Sequence, residues 1–489
     1  MTPETAFPVT ASEFNIYSGV TYDSKTNNTL DSPTDYARFG DVAANLIGNT
    51  IDEAYCFKFS QTISSGSGNA AKNGMLYVET TTSPYNIGGI TKAGEVWRLF
   101  NKGMGAGQNR FGVANAPSLT SYQLRYDSVA NRYYIFAVNN SASPANWAAN
   151  LTAWKVPTNN LAIFEEVSET CYGAVKFTDT VTTANWLPGR LQPPYSVWLL
   201  TIPAGPQNPV QSLVATDDTM VRDGVNTNLN FGTATNVLVQ NSSTKRSNRS
   251  VGLLKFHLPA GFTATNLQLA LLSLHAASAV GATNSQAHVY GLTSTNWTEA
   301  TVKWTNAPNL KQSQSVGSKI SNNFVLGVGD WTNSTTRTAN SVQLLGQLVA
   351  DTNYDERLVD VTDFLRHSTN ADVCFLLARE VRFEGDLASD DGMNLISTEG
   401  NITNAPQLKL VFDFTPPPAF SGIVNNANQT IALNLSGVAG QSFALQATTN
   451  LASTNWLTLL TTNLPTANWS YTDALATNFP ARYYRAVAQ

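Results

Sequence analysis

Apolar residues recur at two different periods along this chain, and the change from one to the other divides it. In the first hundred residues Tyr36, Phe39, Ala43, Leu46 and Ile47 fall at helical spacing. Ser32 is placed to cap that run, Pro33 suits its first turn and Gly48 ends it. A second helix is predicted from about Thr91, with Ala93, Val96, Trp97 and Phe100 on one face, Lys102 in the last turn and Gly103 as terminator. Each helix follows a predicted strand, at residues 7–14 and 54–59, and the second of these is a near-continuous apolar run, as expected of a strand buried on both faces. This βαβα order is the repeating unit of a parallel barrel. From about Arg110 the period falls to two. Residues 122–126 and 132–138 flank a hairpin connection at 127–131, and further strands are predicted at 162–167, 173–177 and 195–202. The expected fold class is mainly β: multidomain β-sandwiches preceded by a short βαβα segment resembling the end of a (β/α)8 barrel.

Proline-rich joints set the expected boundaries. Residues 203–209 (PAGPQNP) form one linker and 415–418 (TPPP) a stiffer one, because consecutive prolines hold the backbone extended. Four segments follow: 1–108, the βαβα segment; 109–205, an antiparallel sandwich; 206–415, a second sandwich; and 416–489, a small fibronectin-like module. With 489 residues, 42% of them apolar, the chain can bury several cores; only 13% are charged and ten are Trp, a composition typical of short-stranded extracellular β proteins. A net charge of −5 without a basic run excludes a nucleic-acid partner, whose phosphates demand clustered Lys and Arg. The densest basic group, Lys245, Arg246 and Arg249, reads as a solvated loop. Cys56, Cys171 and Cys374 lie far apart in apolar contexts with no CxxC spacing, so they read as buried free thiols rather than a disulfide framework or a zinc site. No stretch reaches the roughly 18 apolar residues of a membrane span. Residues 1–20 lack the basic and apolar regions of a signal peptide, so a secretion signal is expected outside this chain.

The middle of the chain carries the densest set of motifs. Residues 217–224 (DDTMVRDG), Asn230-Phe231-Gly232, Leu254-Lys255-Phe256 and 297–308 (WTEATVKWTNAP) are followed in order by 358–362, 373–377 and 405–410. Together they resemble the DNRLRE-type β-sandwich, classed as carbohydrate-binding module family 96. The resemblance covers residues 206–415 and implies a glycan-binding sandwich appended to a secreted polysaccharide-degrading enzyme. Trp297 and Glu299 are its candidate glycan contacts, an indole to stack on a sugar ring and a carboxylate to accept its hydroxyls. The alternative is that Trp297 packs the sandwich. Asp217, Asp218, Asp223 and Asp360 are candidate oxygen ligands for a structural calcium, without EF-hand spacing; otherwise they satisfy turn amides. His257 stands where the family commonly carries Asp, so no ligand is carried over there. In the last segment, residues 443–450 (FALQATTN), Trp456 and 482–487 (RYYRAV) resemble the C-terminal module of exported proteins from Verrucomicrobia-type bacteria, which implies a secreted or cell-surface location.

A second resemblance concerns the start of the chain. Residues 12–15 (SEFN), 34–38 (TDYAR), 57–59 (FKF) and 88–93 (GGITKA) look like the last quarter of glycoside hydrolase family 86 barrels, a family of retaining β-agarases and β-porphyranases. Carried over, Glu13 is the nucleophile on the seventh barrel strand, and Lys58 and Gln61 lie near the end of the eighth. Without that resemblance Glu13 reads as a solvated loop carboxylate. Retaining hydrolysis needs two carboxyl groups roughly 5 to 5.5 Å apart. The family's acid/base lies on an earlier strand, and a whole barrel takes about 250 residues. The chain is therefore expected to be the distal portion of such an enzyme, inactive alone, with the missing barrel segment as a partner. Glu165–Glu166 and Asp390–Asp391 read as loop or edge-strand charges. A red-algal galactan is the expected polysaccharide partner, and no cofactor is expected beyond the calcium. The competing reading is a non-catalytic extracellular glycan-binding or cell-surface protein.

Overall fold

The computed structural model describes residues 10–14, 33–47, 53–56, 76–78, 87–105, 109–111, 120–146, 149–150, 156–157, 160–182, 185–186, 191–208, 210–259, 262–280, 285–312, 315–317, 319–327, 342–349, 356–382, 386–387, 389–412, 418–437, 442–452 and 455–488. Lys58, Gln61, the cap at Ser32 and the stop at Gly48 lie outside the described residues, and of Glu13 and Cys56 only the backbone is described. The chain forms two compact units, Met1–Phe412 and Asp413–Gln489. It is mainly β.

Strands β1 (Thr10–Phe14) and β2 (Glu53–Cys56) pair in parallel. Between them in sequence runs α1 (Pro33–Val42), which continues as one π-helical turn to Ile47. An antiparallel hairpin, β3 (Leu76–Val78) and β4 (Ile87–Ile90), then precedes α2 (Lys92–Gly103), so the second βα step contains a hairpin that the sequence pattern does not show. Thr91 caps α2 by accepting from the Gly94 N–H at 3.1 Å, leaving Glu95 in the first turn and Lys102 in the last, as the helix dipole favours.

The two helices lay their apolar stripes on one antiparallel sheet. Its strands are β5 (Asn109–Phe111), β6 (Thr120–Asp127), β7 (Arg132–Asn139), β9 (Leu161–Val167), β10 (Tyr172–Thr180) and β12 (Ser196–Pro203), in the order β5-β6-β7-β12-β9-β10. The two-residue strands β8 (Ala149–Asn150) and β11 (Asn185–Trp186) pair separately. Period-two alternation sorts β7: Tyr134, Phe136 and Val138 meet Phe39, Val96 and Phe100 of the helices, whereas Ile135 and Ala137 join Phe164, Phe177 and Trp198 on the far face.

The remaining strands of the first unit are β13 (Gln211–Val214), β14 (Asp217–Arg222), β15 (Asn236–Ser242), β16 (Ser250–His257), β17 (Leu267–Val280), β18 (Gln286–Leu292), β19 (Val342–Val349), β20 (Glu356–Asp360), β21 (Asp372–Ala378), β22 (Asp390–Ile396) and β23 (Gln407–Phe412), with the short α3 (Thr362–Arg366) after β20. One layer runs β14-β16-β21-β18-β19 and the other β13-β23-β17-β20. Between them Leu254, Phe256, Leu272, Leu274, Phe375 and Leu377 form the core. Strand β17, fourteen residues long, serves two sheets: residues 267–273 pair with β23, and residues 276–280 pair with β22 around a register shift between Ala276 and Ser278. Gly291 of β18 lets α3 close over this core, since a Cβ there would meet the Phe364 ring at 2.2 Å.

The helix-backed sheet meets this sandwich at one ladder pair, Val175 opposite Leu358. An apolar patch of Ile163, Val175, Leu269, Leu271, Leu358 and Val411 backs that pair. Residues on both sides of the proline-containing segment 203–209 thus belong to one compact unit. A chain of charges seals the seam. Arg98 donates to Glu95 at 2.6 Å and to Glu165 at 3.4 Å, and Lys102 reaches Glu165 at 2.7 Å and Asp360 at 3.3 Å. Glu165 is therefore not the edge-strand charge expected from sequence: its side chain is 5% exposed and two cations hold it. Its neighbour Glu166 is equally buried, accepting from Trp198 Nε1 at 2.7 Å and Ser168 Oγ at 2.6 Å.

In the second unit β24 (Ala419–Asn425), β25 (Ile431–Ser436) and β28 (Asn468–Asp473) form one antiparallel sheet, and β26 (Ser442–Thr448), β27 (Leu457–Asn463) and β29 (Tyr483–Ala488) another. Leu433, Leu435, Phe443 and Leu445 form the core shared by the two sheets.

Lys102 is the cation that joins α2 to both sheets. Replacing it by Met leaves Glu165 and Asp360 each short of a partner, a loss expected to cost about 1–3 kcal/mol. Lys102→Met should lower the thermal midpoint of the first unit, and Lys102→Arg should recover most of the difference in the same melt.

Candidate functional site

The motifs of the middle region converge on one corner of the sandwich. Asp218 follows Asp217 on β14, and after β18 the chain turns through Trp297, Thr298 and Glu299, the Val302 N–H closing the turn on the Thr298 carbonyl at 3.0 Å. Asn230 holds that turn from across the fold, donating to the carbonyls of Glu299 at 2.6 Å and Val302 at 2.9 Å. Gly232 is required beside it, because a Cβ would lie 2.4 Å from the Glu299 carbonyl oxygen. The Asn-Phe-Gly and Trp-Thr-Glu motifs are thus two halves of one turn lock.

This lock positions carboxylates rather than an indole. Trp297 is only 7% exposed and packs with Trp304, Leu310 and Phe324, and the Lys255 ammonium lies 4.7 Å over its ring. The expectation of a stacking platform at Trp297 is corrected: the ring is core and carries a buried cation on its face. Lys255 also donates to the Trp297 carbonyl and lies 3.4 Å from Asp217 Oδ2. Glu299 sits at the surface side of the turn, where its Oε2 accepts from the Asp218 N–H at 3.1 Å and its own N–H donates to Asp217 Oδ1 at 3.0 Å.

A third acid completes the corner. Carboxylate oxygens of Asp218, Glu299 and Glu399 lie within 4.8 Å of one another. Asp218 is buried and accepts from both the N–H and the hydroxyl of Thr398, each at 2.9 Å. Burial raises Asp218 to about 6; the Thr398 bonds oppose the rise, and the charges of Glu399 and Glu299 add to it. Glu299 is raised as well, first by burial and then by Glu399 and Asp217. Sequence reasoning misses Glu399 and Thr398, which lie far along the chain in a turn closed by Gly400 N–H on Ser397 at 3.1 Å. The Ser-Thr-Glu-Gly string is a turn signal, but nothing local to it points to Asp218.

The four aspartates proposed as one ligand set are not brought together. Asp217 and Asp218 belong to the corner. Asp223 is fully buried between Arg246 at 2.8 Å and Arg249 at 2.9 Å, and caps the Gly224 N–H at 2.6 Å. Asp360 lies in the seam, where burial alone would raise it, but Lys102, the Thr362 hydroxyl and Arg132 hold it below the usual range. The basic group at 245–249 is likewise not a solvated loop throughout, since Arg249 is fully buried on Asp223. Asp391 pairs with Arg379 at 2.6 Å inside β22, and Asp390 accepts from Asn248 at 2.7 Å, so neither is a loop charge. His257 is exposed and bonded to Asp372 at 2.7 Å. Cys171 and Cys374 are buried and unpaired in disulfides, and burial pushes both thiols up to about 12.

A cavity of about 550 Å³ opens along the seam between α2, β10, β19 and α3. Its charged lining is the Arg98–Glu95–Glu165–Lys102–Asp360 chain together with Arg132, Arg366 and Asp363. Gly173 shapes one wall. Its φ of +69° suits glycine, its carbonyl accepts from Arg98 Nη2 at 2.5 Å, and a Cβ there would lie 2.3 Å from Glu95 Oε2. The Tyr172 ring beside it is held between Lys92 Nζ at 4.5 Å and the Arg382 guanidinium at 4.4 Å.

Residues 209–325 match the family model of carbohydrate-binding module family 96, which covers the turn lock and two of the three corner acids. No curated protein matches the chain. Among solved structures, a GH30 endoxylanase from Clostridium papyrosolvens C71 aligns at 14% identity, covering 40% of this chain and 42% of that one, with a TM-score of 0.29. A β-porphyranase of glycoside hydrolase family 86 from the human gut bacterium Bacteroides plebeius aligns at 11% identity over 83% of this chain and 57% of that one, also at 0.29. A second family 86 protein, solved in complex with neoagarooctaose, aligns at 10% identity over 83% and 52%, at 0.26. The chain thus spans between 42% and 57% of the length of these three solved chains. At such TM-scores the alignments carry no conclusion about catalysis.

The acidic corner gives a pH-dependent stability of definite sign. Asp218 holds its proton more tightly folded, near 6, than at its ordinary value of 3.8. Its contribution is therefore fullest below about pH 4, declines as pH rises toward 6 and is constant above. Glu399→Gln removes one of the repelling charges. In melts from pH 4 to 7 without divalent ions, this exposed variant should show a shallower decline than the parent.

Proposed function

We propose that this chain is the glycan-holding portion of an exported polysaccharide-degrading protein, and that it engages a red-algal galactan through the sandwich of residues 211–412. The observation that carries the reading is the match of residues 209–325 to carbohydrate-binding module family 96. The corner of Asp218, Glu299 and Glu399 supports it, because carboxylates fixed by a rigid turn lock accept sugar hydroxyls without reordering on binding. The same three carboxylates would hold a structural calcium, which takes six to eight oxygen ligands and would neutralise their repulsion. Among the described residues no helix is long and apolar enough to cross a membrane.

Binding through a shallow sandwich face leaves little surplus after the cost of association, so micromolar to millimolar affinity is expected, roughly −8 to −4 kcal/mol. Affinity electrophoresis of the full chain in gels containing agarose, porphyran, alginate or no polysaccharide tests this. Selective retardation by a galactan is the expected result. Retardation by alginate alone would move the ligand class, and unchanged mobility in every gel would overturn the binding role.

The hydrolytic part of the reading is agarase- or porphyranase-like, with Glu13 as nucleophile and Lys58 and Gln61 beside it. Retaining hydrolysis needs a second carboxyl group roughly 5 to 5.5 Å from the first. Losing general-acid assistance alone forfeits on the order of 10² to 10⁴ in rate. Reducing-end release from agarose or porphyran by this chain alone is therefore expected at background. Turnover typical of a glycosidase would place a second carboxylate within it.

A further inference from the structure

We propose that the seam cavity is a second saccharide site, and that it takes a neutral, hydroxyl-rich sugar segment rather than a sulfated or uronic one. The inference rests on the reading that the chain engages polysaccharide, but it concerns a different place. Every residue lining the cavity lies outside 209–325.

Its size, about 550 Å³, falls within the roughly 300–1,000 Å³ of small-molecule pockets. The lining holds four cations and four carboxylates, a formal sum of zero. The signs are also interlocked, since Glu165 and Asp360 are the partners of Arg98 and Lys102. An anionic ligand at Arg98 or Lys102 would draw them away from carboxylates that are 5% and 17% exposed, leaving buried charge without a partner; at the other two cations it would meet Asp363, 3.7 Å from Arg366, and Asp360, whose charge Arg132 stabilises while donating to the Gln268 carbonyl. A sugar hydroxyl makes no such demand. It donates to a carboxylate and accepts from a guanidinium or ammonium, so it can join the network without breaking it. Both kinds of group are accessible here: Arg98 and Lys102 keep 39% and 30% of their side chains open, and Asp363 keeps 81%.

The opposite wall supplies the apolar contact that a pyranose face needs. Leu344 on β19 is 40% exposed and lines the cavity with Gln343 and Leu345, and Gly346 makes room for Val359, another lining residue, since a Cβ there would lie 2.9 Å from Val359 Cγ1. An exposed leucine and a neutral amide in the same lining as a balanced array of donors and acceptors is the pairing of apolar and polar groups by which pockets orient small ligands.

The test is calorimetric titration of the full chain with a neutral agarose hexasaccharide, a sulfated porphyran hexasaccharide and an alginate hexamer, for the parent, Leu344→Ser and Gln343→Ala. Leu344→Ser removes the apolar contact from an exposed position, and unchanged melting of either variant shows that its fold is kept. The expected result is binding of the neutral hexasaccharide, weakened several-fold by Leu344→Ser and by Gln343→Ala, with retardation of both variants in galactan gels retained. Parent-like binding by both folded variants would overturn the site. Preference of the parent for a sulfated or uronic hexamer, lost in Leu344→Ser, would overturn the neutral ligand. If no hexamer binds while the full chain is still retarded in galactan gels, the cavity site fails and the sandwich reading stands. Failure of both places the fault in the polysaccharide reading itself.

Discussion

Backbone pairing along β17 is the constraint on which the first unit depends. Every N–H and C=O of a buried strand needs a partner, and this strand finds its partners in two sheets. Its first half is a rung of the layer containing β23 and β20, and its second half pairs with β22. Residues 271–275 hold β20, and β20 in turn receives β10 from the helix-backed sheet. The position of α2 relative to the sandwich, and hence the existence of the cavity, follows from how one strand satisfies its hydrogen bonds.

Buried charge is the second organising element. Only 13% of residues are charged, yet many of them are inside, some joining elements distant in sequence, as Arg98 with Glu165 and Lys102 with Asp360, and others locking neighbouring segments, as Asp223 with Arg249 and Arg379 with Asp386 and Asp391. Glu380 is buried as well, accepting from the Phe324 and Val325 N–H groups while burial pushes it up to about 8 against the pull of those bonds and of Arg379 and Arg249. Such groups cost desolvation energy and return geometric precision only when fully bonded. They sit at seams and turn locks, where precision decides which surfaces face each other.

Much of this architecture is legible in the sequence, and the failures have a common cause. The α2 stripe of Ala93, Val96 and Phe100 and the alternation of Tyr134, Phe136 and Val138 are local patterns, and the structure uses them as the periods imply. The pairing of Asn230 with Glu299, the burial of Glu165 under Arg98 and Lys102 and the meeting of Asp218 with Glu399 join residues 63 or more apart and leave no local mark. A carboxylate two positions from a tryptophan reads as a sugar contact, but register put the indole inward and the acid outward. A pair of adjacent glutamates reads as an edge charge, because nothing in β9 announces the cations on α2.

The seam between the helix-backed sheet and the sandwich has a further meaning. One ladder pair, the six-residue apolar patch, a smaller cluster of Cys171, Ala174 and Val349, the Tyr172–Arg382 contact and the charge chain make it. Most of the buried apolar surface on either side lies within that side's own core, so a pulling force along the chain is expected to part the two bodies at the seam before either core opens.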